Sequence, residues 1–268
     1  MRPASLKSTG SADGRPALAA TIAPLVSARE CADTREALAW ASAAGYRGVQ
    51  LSATEPELRP RELSQSARRD LAATLARLEL ACSGIDFFLP PSHLVDPAHV
   101  SRALEAIEAA IELAAFLGRA PVTIPLGAGE ECEARHAIAA SASRLGVEVL
   151  LPVVRAEEAD GLARPFAASV DCASVLGAGG RPEDLVATLG GGGGRGVLGG
   201  VRVVDLWRSG LRGPILEPRE SRLEALALRV ALETSAFRGL PVVDARQWQQ
   251  PRRALEAALE RWSALIPR

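Results

Sequence analysis

The sequence has few aromatic residues, only three histidines and almost no net charge. Aromatic side chains make up 4% of its 268 residues, so the core must be built mainly from small aliphatic side chains. The formal net charge is −1, which gives no global field that would attract nucleic acid or an anionic membrane. No apolar run approaches the roughly 18 residues needed to span a membrane. We therefore expect neither nucleic acid nor a membrane as a partner.

Cysteine pairs that would chelate zinc or exchange disulfides are also missing. The four cysteines are Cys31, Cys82, Cys132 and Cys172. No C-x-x-C pair occurs among them, which argues against a zinc knuckle and a dithiol redox site. We predict reduced, mostly buried thiols in a cytoplasmic protein. The apolar stretch 17–28 resembles a secretory signal, but it contains Pro24, follows a polar segment and serves equally well as a first strand.

Short apolar runs alternate with helical patterns along most of the chain. Residues 1–16 are polar and contain Gly, Ser and Pro, so we predict a disordered N-terminal tail and a single domain at 17–268. Predicted strands lie at 18–26, 48–51, 81–87, 122–125, 147–151, 167–171, 201–206 and 240–244. Predicted helices lie at 34–44, 61–78, 98–117, 131–145, 157–162, 221–237 and 251–265, with one more from 182 to the glycines. Eight such units predict an α/β fold, a (β/α)8 TIM barrel, with an open doubly wound sheet as the alternative.

A run of glycines at 190–194 invites comparison with phosphate-binding loops. Such a loop follows a strand, opens a helix and carries Lys-Ser/Thr or spaced glycines. This run follows a helix, precedes a strand and lacks the lysine. We interpret it as a loop at the face of the barrel that carries no chemistry.

Several segments share their order and spacing with one known family. They are 34–51 (TREALAWASAAGYRGVQL), 100–125, 140–151 (ASASRLGVEVLL), 169–184 (SVDCASVLGAGGRPED) and 201–208. Together they resemble the xylose isomerase-like, or sugar phosphate isomerase/epimerase, superfamily over 18–265. The resemblance implies a TIM barrel that binds a divalent metal at its open face. Acidic residues on the fifth, sixth and eighth strands and often a histidine would hold the metal, which polarises the oxygens of a sugar-like substrate.

This sequence departs from the family's metal-ligand pattern at most positions. Pro152 stands at the position of the fifth-strand glutamate, and Ser174 at that of the histidine after the sixth strand. Gln50 stands in place of the second-strand glutamate, and Asp86 and Phe87 stand where the third strand often has a histidine. On the seventh strand, Asp205 replaces the histidine and Arg208 replaces the aspartate. By resemblance, catalytic roles fall to Asp171, Asp205 and Asp244. Metal binding would fall to Asp171 and Asp244, and the expected cofactor is either none or weakly bound Mg²⁺ or Mn²⁺.

The three aspartates end neighbouring strands, which lie about 4.8 Å apart, so something positive must separate them. One candidate is a hard cation with carboxylate and water ligands. The other is an arginine, which forks onto a carboxylate without a metal. Four arginines lie just past strand ends: Arg155, Arg208, Arg212 and Arg246. We predict that Arg208, or failing it Arg246 or Arg155, pairs with Asp171, Asp205 or Asp244.

Substrate-binding candidates lie in the loops after the predicted strands. They are Arg208, Arg246, Arg155, Trp207 and His93. An aromatic ring there stacks on a sugar or caps the barrel core, and His93 in its proline-rich loop is an acid/base or a surface residue.

Two functions remain open at this point. One is an isomerase or epimerase acting on or binding a small sugar, polyol or sugar phosphate at the C-terminal rim. The other is a metal-free pseudoenzyme that binds a ligand or a protein, and a homodimer is compatible with either. A multi-metal endonuclease is disfavoured because the chain lacks the required His and Glu residues.

Overall fold

A computed structural model describes residues 17–126, 133–191, 197–215 and 220–265. The tail predicted to be disordered, 1–16, lies outside these residues, as do Cys132 and part of the glycine-rich segment, 192–196. In the described part of the chain, no helix is both long enough and apolar enough to cross a membrane.

Within the described residues, eight parallel strands close into a barrel, which confirms the predicted (β/α)8 fold. Each strand pairs with its neighbours in the sequence order, and the last pairs with the first. The barrel strands are β1 (Ala19–Thr21), β2 (Gly48–Ser52), β3 (Ala81–Asp86), β4 (Val122–Thr123), β5 (Val149–Val153), β6 (Phe166–Asp171), β7 (Leu198–Val203) and β10 (Val242–Val243). Two short strands, β8 (Asp205–Leu206) and β9 (Arg212–Gly213), form an antiparallel hairpin beyond β7.

Helices surround the barrel and follow the predicted alternation. They are α1 (Ala23–Ser27), α2 (Thr34–Ala44), α3 (Gln65–Arg77), α4 (Val100–Phe116), α5 (Glu133–Leu145), α6 (Cys172–Gly177), α7 (Pro182–Gly190), α8 (Ala225–Thr234) and α9 (Pro251–Ala264). Single 3-10 turns lie at Pro56–Leu58, Pro91–Leu94 and Ala156–Ala159. The side chains of Asp33 and Ser64 accept hydrogen bonds from the first turns of α2 and α3. Capping therefore sets where these two helices begin.

Several elements differ from the sequence-based prediction. The strand predicted at 18–26 ends at Thr21, and the helix α1 begins at Ala23. The helix α6 and the strand β9 have no predicted counterpart. The helix predicted at 157–162 is only the 3-10 turn Ala156–Ala159, which Gly161 follows with φ of 80°. The strand predicted at 201–206 begins earlier, at Leu198, and leaves the barrel after Val203. A Cβ on Gly199 would lie 2.5 Å from Leu150 Cδ2. Gly199 and Gly200 both lie in β7. Glycine is needed at these positions because the strand runs close to the Leu150 side chain.

The C-terminal ends of the barrel strands form the mouth of the barrel. Asp86 ends β3, Asp171 ends β6, and Asp244 directly follows β10. The strand β7 begins at Leu198, at the opposite rim, and most of the glycine run at 190–194 lies outside the described residues. The fold thus brings three aspartates from distant parts of the sequence to one face.

Candidate functional site

An arginine from the barrel wall crosses the mouth and joins two of its aspartates. Arg202 lies on β7, four strands away from β3 in the closed ring. Its Nη2 donates to Asp86 Oδ1 at 2.6 Å, and its Nη1 donates to Asp244 Oδ2 at 3.3 Å. The residue is only 5% exposed. Arg202 therefore places a buried positive charge across the barrel.

A second arginine bridges the same two carboxylates. Arg246 donates through Nη1 to Asp86 Oδ2 and through Nη2 to Asp244 Oδ2, both at 2.6 Å. Its Nε and its backbone N–H also donate to Asp244 Oδ1, at 2.9 and 3.0 Å. Asp244 is 1% exposed, so its desolvated charge is compensated by several charge-assisted hydrogen bonds.

The third aspartate has an arginine of its own. Arg212, on β9, donates to Asp171 Oδ1 at 2.9 Å and to Asp171 Oδ2 at 2.7 Å. Its Nη2 lies 3.9 Å from Asp244 Oδ2, which connects the two halves of the arrangement. We call these residues the mouth cluster: Asp86, Asp171, Asp244, Arg202, Arg212 and Arg246. Three carboxylates and three guanidinium groups give it no net formal charge.

The pairing shifts the ionisation of the buried groups. Burial alone would raise the pKa of Asp244, but hydrogen bonds from Arg246 and the charges of Arg202 and Arg246 hold that pKa below its ordinary value. Burial would lower the pKa of Arg246, yet the hydrogen bond and charge of Asp244 raise it. Both groups are therefore charged at neutral pH, and the cluster is a true ion-pair network.

The mouth cluster does not fit a divalent metal. A cation of this kind needs carboxylate oxygens with free lone pairs, whereas both oxygens of Asp171 and of Asp244 accept hydrogen bonds from arginines. Pro152, at the position of the expected glutamate, offers no side-chain ligand. No group of three or more His, Cys, Asp or Glu side chains suited to a metal occurs among the described residues.

Asp205, the third predicted catalytic aspartate, lies outside the mouth cluster. It is fully buried and accepts hydrogen bonds from the Ser221 hydroxyl and from the backbone N–H groups of Arg222 and Leu223. These bonds fasten the segment before α8 to the end of the barrel. These hydrogen bonds indicate a structural role for Asp205.

The predicted arginines behave differently from one another. The ion pair expected for Arg246 is present, at 2.6 Å from Asp244. Arg208, our first choice, is instead exposed, and its backbone N–H donates to Glu220 O. Arg155 is exposed too, and no described carboxylate pairs with either side chain. Arg208 lies in the exposed turn between β8 and β9.

The two ring-bearing candidates, Trp207 and His93, contact other residues of the protein. Trp207 Nε1 donates to Pro214 O at 3.2 Å. A Cβ on Gly213 would lie 2.3 Å from the Trp207 ring. The ring therefore packs directly against Gly213 within the β8–β9 hairpin. His93 lies in the 3-10 turn after β3, with its ring 4.7 Å from that of His99. Their predicted roles in substrate binding stay predictions.

A pocket of about 500 Å³ lies beside the mouth cluster. Its lining includes Gln50, Asp86, Phe88, Arg246 and Trp248. The size falls in the range of about 300–1,000 Å³ typical of small-ligand sites. Gln50 Oε1 and Trp248 Nε1 are buried and find no hydrogen-bond partner among the described residues. Two residues of the pocket lining thus carry a buried polar atom, one acceptor and one donor, without a partner in the described part of the chain.

Sequence reasoning missed Arg202 as a member of the site. The signal was present, because an arginine interrupts the apolar strand VRVVD at 201–205. From the sequence alone, a charged residue such as Arg202 would be expected to point outward to solvent. Asp86 was noted only as a replacement for a histidine.

Comparison with known proteins agrees with this architecture. Residues 38–156 match the family model described as xylose isomerase-like TIM barrel. No curated protein matches the sequence. The family match over residues 38–156 and the closed barrel agree with the xylose isomerase-like TIM barrel that the resemblance predicted.

Three solved structures show the same fold at low sequence identity. A xylose isomerase domain protein from Planctomyces limnophilus has 15% identity and a TM-score of 0.67, over 92% of this chain and 95% of that chain. A sugar phosphate isomerase/epimerase from Parabacteroides distasonis has 9% identity and a TM-score of 0.64, over 100% of both chains. A xylose isomerase-like TIM barrel protein from Mycobacterium smegmatis, in complex with magnesium, has 14% identity and a TM-score of 0.64, over 96% of this chain and 98% of that chain.

Proposed function

We propose that the protein binds a small sugar or polyol at the mouth of its barrel without a divalent metal. The observation that carries this proposal is the bridging of Asp86 and Asp244 by Arg202 and Arg246 at 2.6–3.3 Å. The guanidinium groups supply the positive charge that the crowded carboxylates need, and they occupy the oxygens that a metal would use.

The likeness to a sugar phosphate isomerase/epimerase supports the ligand class. The pocket supports it independently, because Gln50, Ser52, Thr54 and Glu55 supply polar groups beside the aromatic rings of Phe88 and Trp248. This combination of a few polar groups and apolar walls is typical of small-ligand sites. Metal-assisted isomerisation would need a ligand set that these residues do not provide, so we assign binding and not catalysis.

Ligand-observed NMR of the full chain tests the proposal. The panel contains monosaccharides, polyols and their phosphate esters, each measured in excess EDTA and again with Mg²⁺ or Mn²⁺. We expect binding of at least one ligand in EDTA, with the same affinity when metal is added. Thr54→Trp should abolish this binding, because Thr54 is an exposed residue of the pocket lining and the indole would fill the space.

Thr188→Trp is the matched control. Thr188 is an exposed threonine on α7, on the outer layer of the barrel, and its substitution should leave binding unchanged. Binding that appears only after metal is added would contradict the proposal. So would the absence of binding by every compound of the panel.

A further inference from the structure

The charged residues that line the pocket leave no positive charge for an anionic ligand. They are Glu55, Asp86 and Arg246. Arg246 is already matched, since its guanidinium donates to both Asp86 and Asp244 at 2.6 Å. Glu55 is a second acid in the lining. A phosphate group in the pocket would therefore meet unbalanced negative charge, and like charges at short range repel.

The hydrogen-bonding groups that remain free are neutral. Gln50 is 5% exposed, lines the pocket and leaves its Oε1 acceptor without a partner among the described residues. Trp248 lines the same pocket and leaves its Nε1 donor unpaired there. Buried polar atoms are normally hydrogen-bonded, so an unpaired acceptor and an unpaired donor in one pocket indicate a missing partner. A hydroxyl group is both donor and acceptor, so a ligand with several hydroxyls satisfies both atoms.

Three hydroxyl groups of the pocket lining are already engaged, and the Gln247 side chain is exposed to solvent. Thr21 Oγ1 donates to Val243 O and accepts from the Ala245 N–H. Ser52 and Thr54 are hydrogen-bonded to each other at 2.8 Å. Phe88 is 66% exposed, and together with the Trp248 ring it offers an apolar surface to the C–H face of a ligand. Gln50 Oε1 and Trp248 Nε1 are thus available for hydrogen bonds to a ligand. The rings of Phe88 and Trp248 are available for apolar contacts.

We propose that this pocket selects an uncharged polyhydroxylated ligand, a free monosaccharide or polyol, over its phosphate ester, and that Gln50 and Trp248 make the direct hydrogen bonds to its hydroxyls. This inference rests on the proposed sugar-binding function and narrows its ligand class. It also names the residues that determine specificity.

Isothermal titration calorimetry with paired ligands tests the charge preference. Free monosaccharides and polyols are compared with their phosphate monoesters, in EDTA and at constant ionic strength. We expect the uncharged member of a pair to bind at least about tenfold more tightly. If phosphate esters bind as tightly or more tightly, the inference is overturned while the proposed function stands. If neither kind binds, the proposed function fails, and the inference fails with it.

Two conservative variants test the residue assignment. Gln50→Ala removes the free acceptor, and Trp248→Phe removes the free donor but keeps an aromatic ring. Each should weaken binding of the uncharged ligand about tenfold. Gln50→Ala should also lower Tm, because it truncates a buried side chain, so binding is measured at a temperature at which the variant is folded. Gln65→Ala and Trp40→Phe are the controls. Gln65 is exposed at the start of α3, and Trp40 Nε1 bonds Glu256 on the helical layer, so both variants should bind as the wild type does. Wild-type affinity in both Gln50→Ala and Trp248→Phe would refute the assignment.

Discussion

At the scale of single residues, Arg202 is the buried counter-charge of two carboxylates in the mouth cluster. It is buried in the barrel, and it joins Asp244, from the end of the neighbouring strand, to Asp86, from the opposite wall. Removing one partner of a buried ion pair leaves a desolvated charge behind and destabilises a protein by about 3–5 kcal/mol. We expect Arg202→Leu to lower the free energy of unfolding by an amount near the lower end of that range, because Arg246 still contacts both carboxylates.

Arg35→Leu is the control for this experiment. Arg35 pairs with Asp70 at 2.6 Å, but the two side chains are 67% and 58% exposed. Exposed pairs contribute at most about 1 kcal/mol. Urea unfolding of the two variants should therefore separate them clearly. Equal effects would show that Arg202 is not a buried counter-charge.

A second residue-scale prediction concerns pH. The pKa of Asp244 is lowered in the folded protein, so its ionised form is favoured by folding. Its contribution to stability is complete above the unfolded-state pKa of about 3.9, and it is lost as the pH falls through that value towards the lower native pKa. The stability difference between the wild type and Asp244→Asn should shrink as unfolding is measured at progressively lower pH below about 4. A difference that grows on acidification would contradict the lowered pKa.

The residues of the site could be predicted only in part. The pairing of Asp244 with Arg246 could be predicted because the two residues are two positions apart and follow a strand. The contact between Arg202 and Asp86 joins residues 116 positions apart, and it depends on which strands face each other across the ring. A pattern read along one strand contains no information about the opposite wall.

At the scale of elements, the β8–β9 hairpin and the segment after it depend on Asp205. Replacing Asp205 with alanine leaves the backbone N–H groups of Arg222 and Leu223 without their acceptor, and the Ser221 hydroxyl keeps only Leu223 O. Each buried group left unsatisfied costs about 1–3 kcal/mol. We expect Asp205→Ala to be destabilised, with faster amide exchange at 220–224.

The same variant separates a structural role from a catalytic one. Sugar or polyol affinity should be retained in Asp205→Ala wherever the protein remains folded, since Asp205 does not line the pocket described here. Asp205→Asn, which keeps one acceptor oxygen, should recover part of the stability. A loss of ligand binding at unchanged amide exchange would instead support the predicted catalytic role.

Most elements could be predicted from apolar periodicity, and the exceptions have local causes. The Gly199–Gly200 pair has the composition of a loop but lies in β7, because only a residue without a Cβ fits against Leu150. The segment Ala156–Ala159 has helical composition but is too short to exceed one 3-10 turn before Gly161. Both differences arise from packing and chain length, which composition does not report.

At the scale of the whole molecule, we expect the mouth cluster to make folding independent of a divalent metal. Anything that binds only the native state stabilises it by mass action, so a protein that depends on a metal melts earlier after chelation. We expect the purified protein to contain only substoichiometric divalent metal by mass spectrometry. Its Tm should be the same in EDTA and in Mg²⁺ or Mn²⁺. Stoichiometric metal whose removal lowers Tm would show that an ion binds after all.

The enclosure of Arg202 also determines how the barrel responds to ionic strength. Electrostatic screening lengths fall from about 8 Å at physiological salt to about 3 Å at 1 M, but buried pairs are screened much less than surface pairs. The side chains of Arg202 and Asp244 are 6% and 1% exposed, so dissolved salt does not reach them. The Tm difference between the wild type and Arg202→Leu should therefore be the same in dilute buffer and in about 1 M sodium chloride, whereas any effect of Arg35→Leu should vanish in the concentrated salt.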